Sequence, residues 1–350
     1  MLARYEDVSL ALRDPRFGRK GFRQLLNPKN SPSDDSGISA SMLFQDPPDH
    51  SRLRGLVSKA FTSRTIDNLR SRIQQIVDDL LDRAQDSREM DIIADLAFPL
   101  PVSVISDMLG IPALDRILFY KWSRDIACGT DAQQRSVDAH VAIASYFKEL
   151  IAERRKQPQS DLLSSLILAE QQGDALTEAE LIDICGLLFV AGHETTANLI
   201  GNGMLTLFQH PQQLQELREQ PSLLPAAVEE LLRYDSPIQR AGRVVNTSVQ
   251  FGKETIPAGA VVSAVIGSAN RDPAQFIDPD RLEIKRRDNC HLAFGAGPRF
   301  CLGAMLARAE AQIAIGTLLR RTPKLALVGD TPEWRRSVET RGLKKLRVTL

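Results

Sequence analysis

The segment that most limits the possible folds is a long apolar stretch from Thr177 to His210, which ends before Pro211. At its start, Thr177 and Glu180 fit a capping box, in which each side chain bonds a free backbone donor of a helix. A helix that is apolar on nearly all sides is either deeply buried or spans a membrane. Too many polar residues interrupt this one for a membrane span, namely Asp183, His193, Glu194, Asn198 and Asn202. We therefore predict the central helix of a protein core.

Helical periodicity dominates the rest of the chain. Apolar residues from Ile66 to Leu81 step by three and four positions, and a second such pattern runs from about Ser136 to Lys156. Segments with strand character are few and short: Arg243–Gln250, Val261–Ile266 and Leu343–Leu350. We predict a mainly α fold with small β-sheets. Since there is no internal repeat and no long linker, we expect a single domain over residues 1–350.

Charge and cysteine usage exclude several functional classes. The 44 acidic and 44 basic residues give zero formal charge, so no global field attracts nucleic acid or an anionic membrane. The segment Met1–Pro15 lacks the features of a secretory signal, and we expect no membrane insertion. No C-x-x-C pair occurs among the four cysteines, which argues against a disulfide framework and a zinc site. These features favour a cytoplasmic protein.

Residues 27–41 are rich in Asn, Pro, Ser, Asp and Gly and are predicted to form a surface loop. Loops of this length in compact domains are often functional. The sequence leaves two interpretations open, a plain connector and a lid over a pocket.

The most specific motif runs from Phe294 to Gly303, FGAGPRFCLG. Its glycines and proline predict a tight turn before an Ala/Leu-rich helix, so Cys301 lies at a helix N-terminus, where the dipole favours a thiolate. A thiolate is an electron-rich ligand for a haem iron. Gly295 allows a positive φ, and Gly303 would let the helix start approach a flat ring. From these residues alone a structural cysteine, or a Cys–His hydrolase with His291 as base, remains an alternative.

This segment resembles the haem-binding loop of cytochrome P450s, F-G-x-G-x-R-x-C-x-G. Ala191–Thr196, AGHETT, resembles the family's oxygen-activation motif, and Glu230–Arg233 resembles its E-x-x-R motif. Arg281, in FIDPDRL, resembles the arginine that completes an ion-pair network with that motif. The resemblance covers the chain from about Tyr5 to its end. It implies a cytochrome P450 fold with haem b between the central helix and the loop, and Cys301 as the axial iron ligand.

The resemblance also implies roles for the central helix. Thr195 would hold a water at the oxygen site and Glu194 would relay protons, which makes these two the catalytic pair. Ala191 and Gly192 would leave room for the oxygen ligand. The alternative is a helix whose polar residues only satisfy one another.

For Glu230, Arg233 and Arg281 the resemblance implies a buried, structural ion-pair network. Without the resemblance, a pair three residues apart on a helix is ordinarily a solvated surface bridge that contributes little. When buried, such a pair costs about 3–5 kcal/mol if one partner is lost.

The two haem propionates require cations, and an arginine matches carboxylate geometry. The positions that match propionate-binding residues of related enzymes are His50, Arg54, Arg243, His291 and Arg299. For each of them, a solvated surface charge is the alternative. Phe294, Gly295 and Gly303 complete the predicted cofactor site.

The implied reaction inserts one oxygen atom of dioxygen into a C–H bond of an apolar small molecule. No G-x-G-x-x-G fingerprint follows a strand, so the electrons must come from a separate ferredoxin or flavodoxin with its reductase. We expect its acidic face to dock near Cys301 on Arg52, Lys59 and Arg64.

The overall pattern is most similar to bacterial enzymes that act on macrolides, polyketides or long-chain acyl groups. The predicted pocket walls are residues 27–45, Ser123–Thr130 and Ile238–Gly242. A peroxide-driven enzyme and a haem-based gas sensor are the rival functions, and the Glu194–Thr195 pair weighs against both. Two departures from the family pattern are the apparent lack of the usual N-terminal helix and Leu282 at a position where phenylalanine is common.

Overall fold

The computed structural model of this chain describes residues 1–22, 41–85, 88–127, 133–170, 176–251, 254–329 and 332–350. The predicted loop lies outside these ranges except for Ser41, as do most of the predicted pocket wall 27–45 and the end of the wall at Thr130.

The described residues form a mainly helical fold, as predicted. Its helices are α1 Tyr5–Arg13, α2 Asp49–Ser58, α3 Ser63–Gln85, α4 Pro99–Met108, α5 Arg116–Ala127, α6 Gln133–Lys156, α7 Leu162–Glu170, α8 Glu178–Gln209, α9 Pro211–Glu219, α10 Leu224–Tyr234, α11 Ile266–Ala269 and α12 Ala304–Arg321. A π-helical segment, Ile92–Ala97, precedes α4, and short 3-10 turns lie at Met42–Phe44, Ala113–Asp115, Pro221–Leu223 and Gly297–Arg299.

Three small antiparallel sheets complete the fold. The strands are β1 Phe17–Gly18, β2 Glu89–Asp91, β3 Arg240–Val245, β4 Val249–Phe251, β5 Glu254–Ile256, β6 Val261–Val265, β7 Ala326–Leu327 and β8 Arg347–Thr349. They pair in the orders β1-β3-β6, β2-β8-β7 and β4-β5. The predicted single strand Arg243–Gln250 is wrong, because the polar residues between Val245 and Val249 divide it into β3 and β4.

The long helix α8 is the centre of the core, as predicted. Most of its side chains from Thr196 to Leu207 are buried, and it packs against α4, α6, α10 and α12. The capping box is present: the Thr177 N–H donates to Glu180 Oε2 at 2.8 Å and the Glu180 N–H donates to Thr177 Oγ1 at 3.2 Å. Among the described residues, no helix has the length and apolar character needed to cross a membrane.

Replacing the cap of α8 tests this account of the fold. Thr177→Ala removes the acceptor of the Glu180 N–H, so the free energy of unfolding should fall by about 1 kcal/mol. Urea denaturation followed by circular dichroism measures the loss. Thr255→Ala, whose hydroxyl makes an exposed bond to Gln250 in β4, is the matched control and should change stability much less. Equal losses in the two variants would contradict a specific role for the cap.

Candidate active site

The loop before α12 is built by backbone conformations that only glycine adopts easily. Gly295 has φ +73° and Gly297 has φ +70°. A Cβ at Gly297 would also lie 2.9 Å from Arg13 Cα, so α1 packs directly on this turn. The loop then closes on itself, because the Cys301 N–H donates to the Phe294 carbonyl oxygen at 2.8 Å.

Cys301 lies three residues before α12, as the sequence predicted, and its side chain is exposed. The surrounding protein raises the pKa of the thiol by desolvation, while a backbone hydrogen bond from Gly303 and the charge of Arg54 lower it. The net direction of these effects on the thiol pKa is upward. Coordination to a metal deprotonates a thiol outright. A Cβ at Gly303 would contact no atom within 4 Å, which leaves room for a flat ring beside the sulfur.

The aromatic ring of Phe294 supports the loop. Arg308 of α12 lies over this ring at 4.5 Å from its centroid, and Phe300 approaches it edge-on at 6.2 Å. Arg308 also forms two hydrogen bonds with Glu229 of α10, at 2.6 and 2.7 Å. These contacts connect the loop to α10 and α12 through one side chain.

Between Leu181 and Phe208 of α8, Ala191 is the one exposed residue, and Gly192, Glu194 and Thr195 beside it are partly buried. A Cβ at Gly192 would instead face Ile105 of α4 at 3.6 Å. This is an ordinary van der Waals distance, so packing against α4 does not require glycine at 192, and the room for an oxygen ligand stays a prediction for both residues.

Glu194 and Thr195, the acid and the alcohol of α8, lie in different environments. The Thr195 hydroxyl donates to the Ala191 carbonyl oxygen at 3.0 Å, so its oxygen still has capacity to accept a hydrogen bond. Desolvation raises the pKa of Glu194, although the charge of Arg335 and the nearby side chain of Thr340 lower it in part. Glu194 therefore holds a proton more readily than an ordinary carboxyl group.

Four of the five predicted propionate ligands form one group, which we call the cation cluster: His50, Arg54, Arg243 and Arg299. Burial, together with the positive charges of Arg19 and Arg299, lowers the pKa of Arg243 to about 9. Burial lowers the pKa of His50 to about 4, again with repulsion from Arg299 and Arg54.

Asp46 is the acid that faces the cation cluster. It accepts a hydrogen bond from Arg299 at 2.6 Å and also attracts His50 and Arg243. Arg243 Nη1 donates to the Gly242 carbonyl oxygen at 2.8 Å, but its buried Nε has no partner among the described residues. A buried donor without a partner is costly, and one carboxylate does not balance several cations. The two carboxylates of a haem therefore fit this cluster.

His291, the fifth predicted propionate ligand, is not part of the cation cluster, and this prediction is wrong. Its Nε2 lies 3.1 Å from Glu229 Oε2 and its Nδ1 accepts the Ala293 N–H at 3.2 Å. Both ring nitrogens are engaged, so neither is available to a propionate or to act as a base for Cys301. Burial alone would raise the pKa of Glu229, but the bonds with Arg308 and His291 lower it to about 2.

The E-x-x-R residues form a fully buried pair at the end of α10. Arg233 donates to both carboxylate oxygens of Glu230 at 2.8 Å, and both side chains have 0% exposure. The third arginine was predicted wrongly. The Arg281 side chain is exposed and contacts Glu283, and Arg281 contributes only its carbonyl oxygen, 3.2 Å from Arg233 Nη2.

Arg286 takes the place predicted for Arg281. Its Nε lies 3.2 and 3.1 Å from the two Glu230 oxygens, and Asn289 Nδ2 donates to the same carboxylate at 3.2 Å. The loop after Arg281 turns back at Glu283, whose N–H donates to Glu230 Oε1 at 2.9 Å. Sequence reasoning missed Arg286 because no periodicity indicates which arginine of a loop turns inward.

The chain matches the protein-family model for cytochrome P450 over residues 102–322. Cytochrome P450 107B1 of Saccharopolyspora erythraea is 48% identical over an alignment of 358 residues that covers 99% of this chain and 88% of that protein. The structure of the Bacillus subtilis 168 bacillaene polyketide synthase cytochrome P450 PksS matches with a TM-score of 0.92 at 41% identity, covering 99% of this chain and 89% of that one. The structure of P450BioI in complex with hexadec-9Z-enoic acid ligated acyl carrier protein matches with a TM-score of 0.91 at 41% identity. The match covers 99% of this chain and 91% of that one.

Fold, site and relatives together define a haem-dependent monooxygenase of small molecules, with iron protoporphyrin IX as its cofactor. The chain belongs to the cytochrome P450 family. The resemblance noted in the sequence is thereby confirmed, and the haem-free hydrolase is excluded.

The corrected ion-pair network predicts which arginine matters for stability. Arg286→Ala removes a charge-assisted contact to buried Glu230 and should lower the free energy of unfolding by about 2 kcal/mol. Arg281→Ala keeps the carbonyl contact and should stay within about 0.5 kcal/mol of the wild type. Chemical denaturation of the two variants side by side measures the difference. A larger loss for Arg281→Ala would restore the assignment made from the sequence.

The cation cluster predicts how firmly haem is held. Arg243→Gln removes a buried cation that a propionate would neutralise, so haem should transfer to apomyoglobin about tenfold faster, as expected for a lost charge-assisted bond. Arg240→Gln is the matched control, because Arg240 lies on the same strand and is exposed. If the Arg243→Gln protein loses haem no faster than the wild type, Arg243 does not bind a propionate.

Proposed function

We propose that this P450 hydroxylates an apolar molecule of the polyketide, macrolide or long-chain acyl type and that Glu194 and Thr195 deliver the protons. The observation that carries the proposal is the acid–alcohol pair, in which both residues are partly buried, beside the exposed Ala191 on the central helix. The names of two relatives support the substrate class, since one belongs to a polyketide synthase and the other holds a hexadecenoyl chain on a carrier protein.

The residues of this chain explain how protons would reach the reaction. Cys301 would hold the haem, which would supply the activation of dioxygen. The Thr195 oxygen can accept a hydrogen bond from a water, because its own hydroxyl proton is directed to the Ala191 carbonyl. Glu194, with its raised pKa, can give a proton to that water and take another from outside. The net reaction consumes a C–H bond, dioxygen, two electrons and two protons, and it yields a C–OH group and water.

We propose that a ferredoxin or flavodoxin, reduced by its own reductase, supplies the electrons at the face around Cys301. This face is near α2 and α3, since Arg54 Nη2 donates to the Phe300 carbonyl oxygen at 2.5 Å and Ser63 Oγ lies 3.5 Å from Met305 Sδ. Lys59 and Arg64 are exposed there. Arg52 pairs with Glu180 of α8, so it would contribute less to docking than the sequence suggested.

We also propose a single domain and a cytoplasmic location. Two large helices, α8 and α12, pack on each other and on α10, so the segments that carry the proposed site share one hydrophobic core. Cys185, Cys290 and Cys301 are free thiols in the part of the chain that the structure describes. Free thiols are the usual state in a reducing compartment.

The Thr195 hydroxyl provides the test of proton delivery. In Thr195→Ala the water would lose its acceptor, so a severalfold larger share of the electrons should be released as hydrogen peroxide. The assay uses haem-loaded protein, a surrogate ferredoxin with its reductase, and palmitic acid or another compound that first produces a low- to high-spin shift. Thr196→Ala is the matched control, because the Thr196 hydroxyl makes the equivalent bond to Gly192 but is buried. Unchanged peroxide release in Thr195→Ala would refute the role of Thr195.

A further inference from the structure

The first half of α8 has one face that keeps accessible surface, which we call the open stripe. Its residues are partly or fully accessible and occur at helical spacing, namely Asp183, Leu187, Val190, Ala191, Glu194 and Thr195. Positions separated by four, seven, eight, eleven and twelve residues lie along one side of an α-helix. The open stripe therefore leads from the proposed site at Ala191 toward the start of the helix.

The middle of the open stripe is apolar. Leu187 and Val190 pack against the hydrophobic core with part of their surface and keep the rest accessible. A hydrocarbon chain that lies on them would bury apolar surface on both partners, which favours binding. With a rise of about 1.5 Å per residue, the helix from Asp183 to Ala191 spans about 12 Å. A dodecyl chain is long enough to reach from one residue to the other.

Asp183 ends the open stripe with a carboxyl group whose hydrogen-bonding capacity is not filled. Its Oδ2 is buried and has no hydrogen-bond partner among the described residues. Burial and the negative charge of Glu180 raise the pKa of Asp183 to about 7. Glu180 differs from Asp183, because it already pairs with Arg52 and accepts the Thr177 N–H. A buried polar atom without a partner is costly unless a ligand satisfies it.

We propose that Asp183 binds the protonated amine of an apolar substrate whose chain lies along the open stripe. The inference rests on the substrate oxidation proposed above and adds a cationic group to the substrate class. A cation is favoured over an anion, because Asp183 and Glu180 are both acids and Arg52 is already paired with Glu180. The ammonium N–H would donate to the Asp183 carboxylate. The carbon that is oxidised would lie about 12 Å farther along the helix, beside Ala191.

The first measurement compares two ligands of equal chain length, N,N-dimethyldodecylamine, which carries a positive charge, and dodecanol, which does not. The low- to high-spin shift of the haem-loaded protein reports the binding of each. The wild type should bind the amine about tenfold more tightly than the alcohol, as a charge-assisted bond predicts. Asp183→Asn should lose about tenfold in affinity for the amine and keep its affinity for dodecanol. Glu178→Gln is the matched control, because Glu178 lies off the open stripe and pairs with Arg155.

The second measurement requires only the wild type, so it does not depend on the folding of a variant. Its affinity for the amine should rise about tenfold between about pH 6 and about pH 8, because a carboxyl group with a pKa of about 7 ionises over this range while a tertiary ammonium stays charged. Among the described residues, Glu180 is the charged group that acts on Asp183, and its own partner is Arg52 of α2. Dodecanol should show no such rise. Asp183→Asn, where it folds, should abolish the rise for the amine.

The third measurement locates the inserted oxygen atom. Haem-loaded protein with a surrogate ferredoxin and its reductase oxidises the amine, and mass spectrometry of the product identifies the hydroxylated carbon. Oxidation should concentrate near the methyl end of the chain, because the ammonium is held about 12 Å from Ala191. In Asp183→Asn the oxidised positions should spread along the chain.

The outcomes separate this inference from the proposed function. Equal affinities of the wild type for the two ligands, or equal losses for both in Asp183→Asn, would overturn the role of Asp183. A red-shifted Soret band with the amine would place its nitrogen at the iron and would also overturn it. Hydroxylation of dodecanol in those cases would leave the proposed function intact. If both ligands bind as expected and neither is oxidised, the proposed function fails while the amine site stands.

Discussion

The position of Cys301 depends on burying one carboxylate without leaving its charge uncompensated. Glu230 has no exposed side-chain surface, and it is matched by Arg233, Arg286, Asn289 and the backbone N–H of Glu283. Three of these partners lie on the segment that leads into the loop before α12. Because removal of any partner leaves a buried charge underpaired, the loop cannot drift from α10 without a large energetic cost. The network thus turns an irregular stretch of chain into a rigid support.

In the cation cluster, unlike around Glu230, the charges are positive and are not fully compensated. His50, Arg54, Arg243 and Arg299 repel one another, and Asp46 balances them only in part. Burial and repulsion together make the protonated form of His50 unfavourable near neutral pH. The charge of Glu230 is therefore neutralised by residues of the protein itself. The cation cluster, in contrast, keeps an excess of positive charge. This contrast distinguishes a structural cluster from a binding cluster even though each contains a buried arginine, Arg233 in one and Arg243 in the other.

The sequence predicted the large features well because their signals are local. The capping box and the apolar length of α8 follow from neighbouring residues, and the two left-handed glycines of the Cys301 loop follow from a short motif. Long-range choices were harder. Whether Arg281 or Arg286 turns toward Glu230 depends on how a loop folds back, and the engagement of His291 by Glu229 depends on the packing of α10 against α12. The hydrogen bond from Asn202 to the Arg341 carbonyl oxygen joins residues far apart in the chain and had no local signal.

The close approach of residues 341–342 to α8 has a consequence for how the protein is made. A Cβ at Gly342 would lie 2.0 Å from Asn198 Oδ1, and Asn202 Nδ2 donates to the Arg341 carbonyl oxygen at 2.9 Å. Helix α8 leaves the ribosome more than a hundred residues before these two partners do, so its two buried asparagines are first exposed without them. This side of the central helix is therefore completed late in synthesis, when residues 341–342 pack against it.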